Sequence, residues 1–103
     1  MAETISNKPW SQFTEADYDI QQWHDACIIH LHDGEPTSKD QCKLPVREPD
    51  GTLNRNAVHA AAGALAGARG GVQAPPDAKR KAAATLRGYY ADLQEPVPPN
   101  LAA

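Results

Sequence analysis

DIQQWHDACIIHLHDG, residues 19–34, is the stretch on which the fold class turns. Ile20, Trp23, Cys27 and Leu31 fall three and four positions apart, so a 3.6-residue repeat gathers them into one apolar stripe, which Ile28 widens. Thr14 or Asp19 can cap such a helix, and Glu15 and Asp17 suit the positive end of its dipole. Asp33-Gly34 ends it. The spacing predicts a helix from about 15–20 to 32, and with it a mostly α chain.

Working outward, EPTSKDQC (35–42) is polar and reads as a surface loop. In KLPVREPDGTLNR (43–55), Pro49-Asp50-Gly51 is turn chemistry: proline presets the first turn dihedral and glycine accepts a positive φ. Leu44 and Val46 before that turn and Leu53 beyond it suit a minimal β-hairpin. Pro45 lacks a ladder donor, so any strand there is short or at an edge, and a Pro-rich loop without a sheet stands as the alternative. Asn54 or Asn56 caps a second helix with Val58, Ala61, Ala62, Leu65 and Ala68 on its apolar side, stopped by Gly70-Gly71. Gly63 and Gly67 let another helix approach closely, which predicts a central place for this one. Pro75-Pro76-Asp77 opens a third helix, with Ala82, Leu86, Tyr89 and Leu93 buried and Tyr90 at the margin. The expected organisation is an extended arm (1–13), a compact three-helix domain (14–94) and a Pro-rich tail (95–103), with flexible termini. Trp10 and Phe13 are the large apolar groups of the arm, and either pin it to the domain or await a partner.

A chain of 103 residues and 11.1 kDa has the size of one domain, too small for separate cofactor and substrate domains. Alanines dominate its apolar residues and aromatics are 6%, which favours close helix contacts over a bulky sheet core. The net charge of −3 conceals an acidic first half and a basic second half, a polarity that suits packing between the halves or head-to-tail association of copies. No apolar run has the ~18–20 residues a membrane span requires. MAETISNKPW lacks the apolar core of a secretory signal, so Cys27 and Cys42 are expected to be reduced thiols inside a cell.

Reactive chemistry finds little footing in the pattern. His24, Cys27, His30 and His32 lie within nine positions, with Cys42 and His59 elsewhere, and these are zinc-type ligands. Wound on one helix they do not point together, no CxxC pair exists, and Cys27 sits in the core stripe. The reading assigns no metal, no cofactor and no catalytic residue. A serine elbow and a phosphate loop are both missing. Lys79, Arg80, Lys81 and Arg87 make a basic strip on the third helix, with Arg80 and Arg87 on one face, and a salt-sensitive contact to nucleic acid is the alternative use of it. The acidic first half opposes that use.

The block Lys43-Leu44-Pro45, Glu48-Pro49-Asp50-Gly51, NRNAVHAAAGALAGA (54–68), Ala84-Thr85-Leu86 and Tyr89-Tyr90, preceded by Trp23 in QQWHDAC, resembles a small helical domain of tailed-phage head-morphogenesis proteins. That domain is appended to, or encoded beside, prohead proteases and capsid proteins. The resemblance spans about residues 18–95 and rests on packing motifs. It implies that Trp23, Leu44, Pro45, Asp50, Gly51, Val58, Leu65, Leu86 and Tyr89 form a core motif under a Leu-Pro lid, and it carries over no catalytic residue. It implies a non-enzymatic assembly or structural module, in the virion or the host cytoplasm, that meets capsid or other head proteins or its own copies. Trp10, Phe13, Lys79, Arg80 and Arg87 are the expected contacts. One version is a scaffold-like segment of a longer head polypeptide, freed by cleavage near Asn100-Leu101-Ala102-Ala103.

Overall fold

Asp19 opens the first helix as expected, but the helix ends far sooner than its apolar spacing predicts. In the computed structural model, which describes residues 4–32, 34–67 and 71–101, α1 runs Ile20–Ala26. Asp19 accepts from the Gln22 amide at 2.7 Å and Gln22 returns a bond to the Asp19 amide, a reciprocal cap. Cys27–His30 then runs extended as β2 and pairs antiparallel with β3, Cys42–Pro45, in the register Cys27 to Pro45 and His30 to Cys42. Two β-branched residues and a two-residue alternation account for the switch, because Cys27 and Ile29 are buried while His30 is exposed. The helical stripe fails with it: Ile20 and Leu31 are about 40% exposed.

A second small sheet joins distant parts of the chain. Ile5–Ser6 (β1) lies parallel to Leu53–Asn54 (β4). The mostly α, three-helix reading is therefore corrected. Among the described residues there are three α-helices and two two-stranded sheets, an α+β arrangement in which strand pairing takes over the second half of the expected first helix. The expected hairpin around the Asp-Gly turn does not form a sheet of its own. β3 and β4 each pair elsewhere, while the Arg47 to Leu53 bridge and the amides of Asn54 to the Val46 carbonyl (2.9 Å) and of Glu48 to the Thr52 carbonyl (2.8 Å) join the two sides of the turn. Within the turn the Gly51 amide bonds the Glu48 carbonyl at 2.8 Å and Gly51 holds φ +94°, a conformation that glycine adopts without strain. Thr52 donates its amide to the Asp50 carboxylate, which holds that carboxyl below its ordinary range.

Asn54 is the cap of α2, Arg55–Leu65, and accepts from the Ala57 amide at 2.9 Å. The helix stops before Gly67, at φ +101°, earlier than the expected Gly70-Gly71; Ala68 and Gly70 lie outside the described residues. α3 runs Pro76–Leu93, with proline in its first turn. Gln94 (φ +59°) ends it in the left-handed region, and the Glu95 amide reaches back to the Tyr90 carbonyl, which turns the chain towards α2.

Two cores result where one was expected. The larger gathers Val46, Leu53, Val58 and the alanines of α2 against Leu86, Tyr90, Leu93 and Leu101. The smaller holds Tyr18, Trp23, Ala26, Cys27 and Cys42, so Trp23 does not share a core with Leu86. Trp10 packs on both. Leu44 and Pro45 are strand residues and not a lid, with Leu44 at φ +61°. Leu65 and Leu44 only border the larger core, and Tyr90 takes the buried place assigned to Tyr89, which instead lies under the Arg47 guanidinium. The ends expected to be flexible are held as far as they are described. Asn54 and Asn56 both donate to the Lys8 carbonyl, at 3.1 and 2.9 Å, and Leu101 is buried.

Candidate functional site

α3 presents Lys79, Arg80, Ala83 and Arg87 along one side, next to its buried stripe of Ala82, Leu86, Tyr90 and Leu93. Leu65 at the end of α2 and Asn100-Leu101 of the returning tail close the opposite wall. Between them lies a groove of about 320 Å³. The three basic residues expected to meet a partner are thus brought to one hollow, over the apolar surface of Leu65, Ala83 and Leu101.

The tail is part of this site, and particular bonds hold it there. Arg87 donates to the Leu101 carbonyl at 2.6 Å, and Asn100 donates to the Ala62 carbonyl at 3.2 Å. Glu95 is clasped from α2 by the Arg55 guanidinium and by His59 Nε2, the latter at 2.7 Å. Partial burial works to raise the Glu95 pKa, but the hydrogen bonds and charges of Arg55 and His59 outweigh it and hold the carboxyl below its ordinary range. A depressed carboxylate pKa adds stability above the unfolded-chain value of ~4.3, and that stability is lost as pH falls through the folded value. Glu95→Gln is therefore expected to flatten the acid limb of stability measured by urea unfolding between neutral and acid pH. The change should stay below about 1 kcal/mol, since both partners are partly solvated. An equal acid loss in wild type and variant would show that this clasp does not hold the tail.

Arg80 also pairs with Asp77 one turn earlier, but both side chains are largely exposed, so the pair is weak and Arg80 remains available to a stronger anion. Trp10 and Phe13 do not line the groove. Both are half-buried on the docked arm, with ring centres 5.8 Å apart.

On another face the expectation about histidines and cysteines needs correction. The rings of His24 and His30 stack with centres 4.0 Å apart, and their ligand atoms and the Cys42 sulfur all lie within 4.8 Å of one another. His24 comes from α1, His30 from β2 and Cys42 from β3. The three meet because Cys27–His30 is a strand; on the expected continuous helix they diverge. Nor does the packing exclude a hollow, since a cavity of about 650 Å³ lies beside His24, His30 and His32, with Asp77 and Lys81 on its far side. The alternating Cys27, Ile29 against Ile28, His30 was the readable signal for this. Burial pushes up both thiols, and for Cys27 the charges of Cys42 and Glu15 add to it. Neither is an activated nucleophile.

Comparisons with protein-family models, with curated proteins and with solved structures give no match for this chain. Among the described residues no helix is long and apolar enough to cross a membrane.

Proposed function

We propose that this chain is a non-enzymatic assembly module of a tailed-phage head, and that it grips an acidic segment of a capsid or prohead-protease protein in the groove between α3 and the returning tail. The observation that carries the reading is the groove itself, where Lys79, Arg80 and Arg87 surround an apolar floor. Cations around apolar surface fit a segment that offers carboxylates on either side of an apolar side chain. The resemblance of residues 18–95 to the head-morphogenesis domain supplies the setting. Within that motif Asp50 accepts from Thr52 in its turn and Asn54 caps α2, as residues of a packing motif would.

Co-sedimentation of the purified chain with capsid protein, and with prohead protease, tests the reading. Lys79→Glu/Arg80→Glu is expected to weaken the contact at least ~10-fold, equivalent to about 1.4 kcal/mol, and to change particle yield or size in shell reconstitution. Unchanged particles with and without the chain would overturn it. Salt-dependent retention of a DNA duplex, lost in the same variant, would favour the nucleic-acid reading of this strip instead.

A further inference from the structure

We propose that His24, His30 and Cys42 form a binding site for a divalent transition metal of the zinc type, a site independent of the assembly reading. Two imidazoles and a thiol are the donors zinc prefers, and all three ligand atoms already lie within 4.8 Å of one another. Metal bonds of ~2.0–2.3 Å in a tetrahedron set ligand atoms about 3.3–3.6 Å apart, so closure draws these atoms together by about 1 Å and turns the two stacked imidazoles out of their near-parallel arrangement, so that both lone pairs meet one ion.

His30 is also held as a metal-binding histidine is. His30 Nε2 meets the His24 carbonyl oxygen at 2.8 Å, and donates to it, since a carbonyl only accepts. That bond fixes the tautomer and leaves the Nδ1 lone pair of His30 free to bind. His24 Nδ1 stands 3.5 Å from the exposed Asp25 carboxylate, a long contact that leaves its tautomer open to the metal. An acceptor behind the His30 ring, with the opposite nitrogen left to bind a cation, is the arrangement that orients a ligating histidine.

The backbone beneath them is well held. His30 and Cys42 are direct strand partners, and Trp23 Nε1 donates to the Lys39 and Cys42 carbonyls at 2.9 and 3.4 Å. Cys42 is buried, His24 half-buried and His30 exposed, so the cluster spans from core to surface and a cation has a path in. With three protein ligands, the fourth position belongs to solvent, on the side of the 650 Å³ cavity that His24 and His30 line. Cys27 lies outside the converging set and is not a ligand. Binding displaces the thiol proton of Cys42 to solvent and leaves thiolate on the metal, with no change of oxidation state.

The test is metal analysis of the purified full chain, with titration by zinc chloride and by cobalt chloride. The expected result is about one equivalent bound, with a thiolate-to-cobalt charge-transfer band and a zinc-dependent rise in melting temperature. His30→Ala, at an exposed position that leaves the core intact, should reduce affinity by more than the roughly 10–100-fold that follows loss of a hydrogen-bonding partner behind a ligand. Cys42→Ser should abolish the charge-transfer band, and Cys27→Ser should keep it. Circular dichroism of each variant without metal establishes that it folds. No zinc or cobalt binding at micromolar concentration by the wild-type chain overturns the proposal, and so does binding that survives His30→Ala unchanged.

Discussion

Trp23→Ala is expected to lower the unfolding free energy by about 3–5 kcal/mol, the usual range for deleting a buried aromatic side chain. Trp23 is 9% exposed at the centre of the smaller core, edge-on to Tyr18 with ring centres 5.1 Å apart. Its indole joins α1 to the turn at Lys39–Gln41 and to β3. Tyr18 would lose its ring contact while its hydroxyl still bonds the Arg47 carbonyl at 2.6 Å. Trp23→Phe separates the two contributions. It keeps most of the apolar volume and loses the indole N–H, so about 1–2 kcal/mol is expected. Urea unfolding of the three proteins measures both, and an alanine variant that costs less than ~1 kcal/mol would show that the smaller core is not a cooperative part of the fold.

Asn54→Ala is expected to cost about 2–4 kcal/mol, large for a side chain with one amide. Asn54 is fully buried, and its groups serve three elements. Its oxygen caps α2 at the Ala57 amide, and its nitrogen donates both to the Lys8 carbonyl of the arm and to the buried Glu48 carboxylate at 2.9 Å. Losing a cap costs about 0.5–2 kcal/mol, and leaving a buried acceptor without its donor about 1–3 kcal/mol. Asn54→Ser distinguishes them, because the hydroxyl can still cap the helix but cannot span to both Lys8 and Glu48. Serine should recover the cap contribution alone. Amide hydrogen exchange at Ile5 and Ser6 should quicken in both variants, and unchanged exchange there would mean that the arm is held without Asn54.

Both results bear on what was legible in the residues themselves. α3 was readable because proline, aspartate and an i, i+4 stripe agree over eighteen positions. The start of α2 was readable because Asn54 is followed by helix formers. Asp50-Gly51 was readable because turn chemistry is local. Cys27–His30 was misread because Ile20, Trp23 and Cys27 satisfy a helical repeat by themselves, and only a partner strand fifteen residues away makes the extended form better. Helix propensity is a weak local preference, and tertiary pairing overrides it. The same error hid the candidate metal site, since His30 and Cys42 are neighbours only across that pairing. The basic groove was half legible: the cations of α3 follow from their spacing, but the tail wall depends on Gln94 turning back and on Glu95 meeting Arg55 and His59 across 40 and 36 positions.

The parallel contact of β1 with β4 governs when the N-terminal arm can dock. Ile5 waits for Leu53, and Asn7 waits for Arg55, 48 positions later. On a ribosome adding roughly 5–20 residues per second, the first strand stands without its mate for roughly 2–10 s. α1 closes its own turns within about a microsecond of appearing, yet the N-terminal strand stays unpaired until Leu53 follows. Birth order and assembly order therefore part at this edge: the strand made first has no mate until β4 has followed it.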